Sequence, residues 1–274
     1  MPELPEVELV VRDLNRVLDG RTLLGAEVLW PGYVEGLQRP EELGKMLAGE
    51  RFERAERRGK FILITFTRHA LLNHLRMTGR ILKLPAGGDY PKHTHAALEL
   101  DDGSRLLFSD VRKFGRLRVF SREDTPAQVA ALRLGLEPFG KRFTGVKVAR
   151  LFDGRARGVK NLLLDQTAVA GIGNIYACEI LFAAGIDPFR PAGSIGRGEI
   201  TKIIRSTRRV LSEAIDNGGS SISDYVRVGG ELGGMQNHFM VYGRAGEKCF
   251  RCRDSVTRKI QAGRSTFWCN GCQL

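Results

Sequence analysis

The first chemistry the chain offers is a proline at the second position followed by a glutamate. Inside a chain the nitrogen of Pro2 is an amide with no free lone pair; with Met1 removed it becomes a secondary amine. An α-amino group titrates near ~8, against ~10.4 for a lysine side chain, so at neutral pH a usable fraction is unprotonated. Such an amine can attack a sugar carbon and form an iminium, the covalent strategy of amine nucleophiles. Glu3 stands beside it as a proton donor. Met-Pro alone would also serve as a plain helix start, so the wider octet Met1-Pro2-Glu3-Leu4-Pro5-Glu6-Val7-Glu8 carries the signal.

The second chemistry lies at the other end. Cys249 and Cys252, then Cys269 and Cys272, form two C-x2-C knuckles separated by sixteen residues. Paired knuckles present four thiolates tetrahedrally, and the intervening length fits one β-hairpin, so the spacing predicts a zinc site. With cysteine at every corner no position is left for water, which makes the expected Zn2+ structural. The hairpin carries Arg258, Lys259 and Arg264, with Arg251 and Arg253 at its base, a basic finger suited to a nucleic acid. Cys178 is left over, and beside Ile175 and Leu181 it reads as core.

Elements must position these groups. From Pro5, the residues Val7, Val10, Val11, Leu14, Val17 and Leu18 recur at helical spacing, and Gly20 falls where a left-handed terminator belongs. This helix would hold residues 2–4 at its N-terminal end, where backbone N–H groups favour an anion. Short segments of β character follow: Thr22–Trp30, Phe61–Thr67, Arg80–Leu84, Ala96–Leu100, Arg105–Ser109 and Arg116–Phe120. Residues 1–122 are therefore expected to form a β-sandwich or barrel with a flanking helix. Residues 123–140 read as a linker with one short helix.

Beyond the linker the pattern turns helical, strongest over Asn174–Ala184 and Arg197–Asp216, closed by Gly185 and Gly218. Gly171-Ile172-Gly173-Asn174 reads as a tight turn with Asn174 as N-cap, able to lay N–H groups and its amide against a phosphate. The glycines of 217–237 suggest a mobile loop. The expected division is 1–122, a linker 123–140, a helical domain 141–240 and a finger 241–274.

At 274 residues, 42% hydrophobic and with a net charge of +12, the chain has length for about two domains and a composition that favours a polyanionic partner, foremost a nucleic acid. No apolar run reaches a membrane span and no signal-peptide pattern opens the chain, so a reducing cytosol is expected.

With the opening octet, the Gly171–Asn174 turn and the four-cysteine finger in this order, the chain resembles bacterial formamidopyrimidine-DNA glycosylases along essentially its full length. The resemblance implies an α+β protein: an N-terminal β-sandwich with a flanking helix, a helical domain with a helix–two-turn–helix motif, and a C-terminal zinc-finger β-hairpin. It implies excision of oxidised purines such as 8-oxoguanine and formamidopyrimidines from damaged double-stranded DNA, then β,δ-elimination at the abasic site. It makes Pro2 the nucleophile on C1′ and Glu3 the acid that opens the ribose. Glu6 is similar to a family glutamate near the active site, and Lys60, in Arg57-Arg58-Gly59-Lys60-Phe61, to a lysine at the lesion nucleotide.

Lys160 and Asn174 match phosphate-binding positions, Arg264 the arginine at the finger tip, and Tyr242 the approach to it. A base that leaves the stack leaves a hole. Met77, in the stretch that begins at His74, together with Arg112 and Phe114, resembles the wedge that fills it. His93, in Lys92-His93-Thr94-His95, is similar to a phosphate contact, although Thr94 stands where aspartate is common. A monomer acting at the nucleoid in the cytoplasm is the implied setting. Two other readings compete: an endonuclease VIII-like glycosylase for oxidised pyrimidines, and a zinc-finger nucleic-acid-binding protein without chemistry.

Overall fold

The computed structural model describes residues 1–222 and 225–274. The chain folds into two compact units, Met1–Leu132 with Asn217–Gly234, and Arg133–Asp216 with Met235–Leu274.

The first unit opens with helix α1 (Leu4–Leu18), which places Pro5 in its first turn and ends before Gly20 at φ +71°. Its apolar positions Val7, Val10, Val11, Leu14 and Leu18 all bury. The strands are β1 (Leu23–Val28), β2 (Val34–Glu35), β3 (Phe52–Arg58), β4 (Phe61–Phe66), β5 (His69–His74), β6 (Gly79–Leu84), β7 (Thr94–Leu100), β8 (Arg105–Asp110) and β9 (Arg116–Ser121), with α2 (Glu42–Leu47) before β3. They form two sheets, β1-β7-β8-β6 and β2-β9-β5-β4-β3, antiparallel apart from the β2–β9 pair. The result is a sandwich, not a barrel. Ile62, Ile64, Phe66, Leu71 and Val119 of one sheet share a core with Ile81, Ala96, Leu98, Leu106 and Phe108 of the other, and α1 adds its apolar face.

The sequence reading missed the two-residue β2 as well as β3 and β5. In β3 (Phe-Glu-Arg-Ala-Glu-Arg-Arg) only Phe52 and Ala55 turn inward, so alternation is masked by charge. The side chain of Asn15 then fixes α1 to that strand, accepting from Ala55 N–H and donating to Ala55 C=O, each at 2.9 Å. β4 reads as continuously apolar because both its faces bury: Leu63 joins Ala70, Leu72 and Phe120 in a second cluster. That cluster is covered by Val129 and Leu132 of, and just after, α3 (Thr125–Ala131). Part of the expected linker thus packs on the first unit.

The second unit contains α4 (Gly145–Phe152), α5 (Val159–Leu163), α6 (Asn174–Ala184) and α7 (Arg197–Asp216), followed by the hairpin β10 (Val256–Gln261) and β11 (Arg264–Cys269). Helix α6 is apolar almost all round because α7, α5 and β11 each pack on it. Gly185 closes it at φ +73°. Residues 217–234, expected within the helical domain, cluster with the sandwich unit. No helix of the described residues is long and apolar enough to cross a membrane.

Candidate active site and metal centre

Glu3 is the N-cap of α1 and forms a reciprocal capping box with Glu6, whose Oε2 accepts the Glu3 N–H at 2.9 Å. Pro2 and Glu3 are buried, Glu3 to 3% exposure. The second oxygen of Glu6 accepts the Ser220 N–H at 2.8 Å, so one carboxylate joins the start of α1 to the 217–234 segment. The expected mobile loop is therefore tied down in its described part; residues 223 and 224 lie outside the described residues.

Lys60 occupies the two-residue turn between β3 and β4 with Gly59 at φ +58°, and it is buried to 5% exposure. Arg57 secures the turn, donating to the Gly59 carbonyl at 3.1 Å and to Glu8 of α1 at 3.1 Å. His74 ends β5 opposite Phe61, the rings edge to face at 4.5 Å. Burial, with Arg76 and Lys60 nearby, pushes its pKa down to about 3, so it is neutral at pH 7. Its Nδ1 accepts the Arg76 N–H at 2.9 Å, which places the ring proton of the neutral imidazole on Nε2.

Met77, Arg112 and Phe114 converge. The Arg112 guanidinium donates to the Met77 sulfur at 2.9 Å and lies 4.6 Å from the Phe114 ring centre. Both apolar members stay exposed, Met77 at 42% and Phe114 at 48%. A fully buried residue the sequence reading overlooked, Asp110, builds this projection. Its carboxylate accepts from Thr78 Oγ1, from Arg112 N–H at 3.1 Å and from Gly115 N–H at 2.6 Å. A side chain at Gly115 would meet the Tyr33 ring and the Asp110 carboxylate at 3.0 and 3.1 Å. Exposed His93, at φ +66°, accepts the Asp110 N–H through its own carbonyl at 3.0 Å.

In the second unit Lys160 and Asn174 do meet, but not in the expected form. Asn174 is the first residue of α6 and Gly173 is the N-cap. The Asn174 side chain instead accepts from Lys160 Nζ at 2.7 Å and donates to the Ser265 carbonyl at 2.9 Å. Lys160 is fully buried and also donates to Thr266 Oγ1 at 2.8 Å and the Ser265 carbonyl at 3.3 Å. It thus fastens β11 to α5 and α6. Next to this junction Arg264 is exposed, the first strand residue after a turn in which Ala262 and Gly263 both have positive φ, +48° and +74°. Such a turn matches the strand twist of a tight hairpin.

Tyr242 packs edge-on against Phe239 at 5.8 Å and at a tilt against Phe267 at 5.0 Å. Its N–H, with those of Met240 and Val241, donates to the carboxylate of Glu179 at 2.8–3.0 Å. Burial pushes the Glu179 carboxyl up against the pull of those three donors. One acid in an otherwise apolar helix was the signal that could have found it.

The thiols of Cys249, Cys252, Cys269 and Cys272 lie within 4.8 Å of one another and could hold a metal ion. The Cys249–Cys272 and Cys252–Cys269 sulfur separations are 3.8 and 3.3 Å. A tetrahedral zinc with bonds of about 2.3 Å requires sulfur edges of about 3.8 Å. The Arg251 N–H, 3.4 Å from Cys249 Sγ, supplies the kind of outer hydrogen bond that steadies a metal thiolate. The cluster fits a closed four-sulfur site. Cys178 packs beside it in a common apolar cluster with Phe182, Val241 and Phe267.

A sandwich with a Pro-Glu helix start and a helical unit bearing a four-thiol hairpin matches two family models in succession. Residues 1–117 match the formamidopyrimidine-DNA glycosylase N-terminal domain, and residues 134–226 the formamidopyrimidine-DNA glycosylase H2TH domain. The chain is 40% identical over 273 residues to the formamidopyrimidine-DNA glycosylase of Geobacillus kaustophilus, covering 100% of both. It is 43% identical over 284 residues to that of Cereibacter sphaeroides, again with full coverage. Among solved structures it is similar to a Lactococcus lactis FPG mutant in complex with a Fapy-dG containing DNA, with TM-score 0.92, 34% identity and 99% coverage of each chain. A complex of the wild-type Lactococcus lactis protein with an oxidized pyrimidine containing DNA aligns with TM-score 0.90 at 34% identity, covering 99% of each chain. The chain belongs to the formamidopyrimidine-DNA glycosylase family.

Proposed function

We propose that this protein is a base-excision-repair glycosylase and abasic-site lyase acting on oxidised purines in duplex DNA. The observation that carries the reading is the start of α1, where the capping box holds Glu3 beside Pro2 and ties both to the 217–234 segment. Removal of Met1 converts the Pro2 nitrogen into an amine. Its lone pair attacks C1′, the glycosidic bond breaks, and the base leaves after taking up a proton. Glu3 protonates the ring oxygen, which opens the ribose to an iminium. Loss of a C2′ proton then breaks the C3′–O bond, a second elimination breaks the C5′–O bond, and hydrolysis returns the amine.

Lys60 and the Nε2 donor of neutral His74 suit the sugar and phosphate of the lesion nucleotide, with Glu6 bracing the site. Met77 and Phe114 replace stacking in the vacated duplex, and Arg112 meets the orphaned base. His93, Asn174, Tyr242 and Arg264 suit phosphate oxygens, with Lys160 holding Asn174 and the hairpin in place. The four cysteines hold one structural Zn2+, which orders the hairpin and takes no part in the chemistry. The setting is a monomer at the nucleoid. The division 1–122, 123–140, 141–240 and 241–274 serves as a map of roles: chemistry, connection, backbone grip and finger.

The Pro2-Glu3 start favours a glycosylase over a binding module, which gives no reason for it. The wild-type Lactococcus lactis complex with oxidised-pyrimidine DNA keeps pyrimidine lesions in the test panel. Borohydride trapping of Met1-processed protein on 8-oxoguanine paired with cytosine should give a covalent adduct, and Glu3→Gln should bind but not excise. Absence of an adduct from verified Pro2-terminated protein refutes the mechanism, and far faster cutting of thymine glycol reassigns the substrate.

A further inference from the structure

We infer that Asp13 and Arg227 are positioning residues for base recognition: their ion pair sets where the 217–234 loop lies along α1, and through it how a base is held. The inference rests on the glycosylase and lyase reading above. Glu6 and Asp13 are seven residues apart, two helical turns, and so lie on one face of α1. Both are buried, at 2% and 1% exposure, and both receive donors from the same loop. Glu6 accepts the Ser220 N–H at 2.8 Å. Asp13 accepts a two-pronged contact from Arg227, Nε at 3.0 Å and Nη2 at 2.5 Å. Arg16 also reaches Asp13, at 3.1 Å, but with 66% of its side chain exposed it is the weaker partner.

The loop is closed on itself independently of these contacts. Gly234 N–H donates to the Asn217 carbonyl at 2.9 Å, and Gly233 N–H to Ser221 Oγ at 2.9 Å. At Gly233 a side chain would strike the Gly219 and Gly218 carbonyls at 2.2 and 2.5 Å, so the two ends run in direct backbone contact. Tyr225 and Val228 bury in the sandwich core, and the Val228 carbonyl accepts the Lys83 N–H of β6 at 3.0 Å. Losing Arg227 therefore does not release the loop. It removes the ion pair that fixes the far side of the loop to the helix that also carries Glu3, leaving only the apolar packing of Tyr225 and Val228 there, while Ser220 still holds the near side. The Glu6 carboxylate has one oxygen on Glu3 and the other on Ser220, so a change in the loop's seat is felt where the base would sit, beside the reacting nitrogen.

This predicts a split that general destabilisation would not produce. Excision requires that the base be held; cleavage at a preformed abasic site does not. In full-length, Met1-processed protein, with active enzyme counted by borohydride trapping on an abasic duplex, Arg227→Met should lower single-turnover excision of 8-oxoguanine about tenfold, a 1.4 kcal/mol change, and leave abasic-site cleavage within about twofold. Arg227→Lys should recover part of the loss, since one prong remains. Should Arg227→Met not fold, the pair Asp13→Asn with Arg227→Gln removes the buried charge from both partners and carries the same comparison. Equal loss of both activities, or no change in their ratio, overturns the inference. A wild-type protein that neither excises nor cleaves overturns the proposed function itself, so the two failures are distinguishable.

Discussion

Two hairpins in this protein each present a cation at a two-residue turn, and they are held in opposite ways. The β3–β4 hairpin carries Lys60 inside its turn, buried to 5% exposure, within a five-stranded sheet that α1 braces through Glu8 and Asn15. The β10–β11 hairpin carries exposed Arg264 just past its turn and has no third strand. An isolated two-stranded hairpin is marginal in water. Beyond the packing of β11 on α6, with Val256 and Phe267 in a small cluster around Cys178 and Phe182, its support is the four-thiol cluster at its base and the Lys160 ammonium against Ser265 and Thr266. The contrast teaches where rigidity comes from. The Lys60 turn borrows it from the sandwich core, whereas the Arg264 turn borrows it from a small side cluster, a four-thiol site and a buried charge.

Metal removal should break the comparison most completely. Binding of structural zinc is worth roughly 10 kcal/mol or more in small finger domains, and here it is coupled to folding of the second hairpin alone. Chelation, or Cys249→Ser, should abolish DNA binding while the sandwich unit keeps its melting transition and its Lys60 hairpin. Retained binding by metal-free protein, measured by titration with an abasic duplex, would remove the hairpin from the interface.

Lys160→Met comes next. The substitution keeps much of the volume and deletes three hydrogen bonds from an ammonium with no exposure. Hydrogen bonds to charged groups contribute about 1.5–3 kcal/mol each, and of the acceptors left behind the Ser265 carbonyl keeps the Asn174 amide as donor, so a net loss of about 3 kcal/mol in the second unit is expected. DNA affinity should fall about 10- to 100-fold for every sequence, while the slope of log affinity against log salt stays unchanged, because the buried charge releases no counterion. A slope reduced by about one unit would restore Lys160 as a direct phosphate ligand.

That last distinction marks the limit of what the residues alone made legible. The helices 4–18, 174–184 and 197–216 and the cysteine hairpin could be read because periodicity and knuckle spacing are local properties, whereas the Met77, Arg112 and Phe114 set came from the family resemblance alone. Three features could not. β3 hides its alternation under arginines and glutamates that are all solvent or ion-pair partners. The 217–234 segment reads as loose glycine, yet two carboxylates on a helix some 200 residues earlier hold it, a pairing no local pattern encodes. Lys160 and Asn174 were matched to phosphate-binding positions by resemblance, Asn174 also by its place at a glycine turn; only the tertiary fold reveals that each is the other's partner. In the last two cases the missing information was a polar contact between distant segments.

The smallest expected effect probes the first hairpin through pH. His74 pairs with Phe61 at the end of β4 nearest Lys60, and burial together with Arg76 and Lys60 lowers its pKa to about 3 in the folded protein. The unfolded chain, with an ordinary imidazole near ~6.5, binds a proton first as pH falls. Stability contributed by neutral His74 is therefore fully present above pH ~6.5 and is lost progressively toward pH ~3, at about 1.4 kcal/mol per pH unit. Between pH 7 and pH 5 the loss should be about 2 kcal/mol in the sandwich unit, read from urea unfolding at each pH. Glu50 does not confound the window. Although its burial opposes charge, Arg68, Thr67 and His69 hold its pKa down to about 2, so its contribution fades only below about pH 4.5. His74→Gln, which keeps an acceptor for the Arg76 N–H, should flatten the pH 7 to 5 slope by about one proton and leave the steeper fall below pH 4.5 in place. An unchanged slope in that variant would mean that His74 titrates normally, and the hairpin at Lys60 would then be no drier than the one at Arg264.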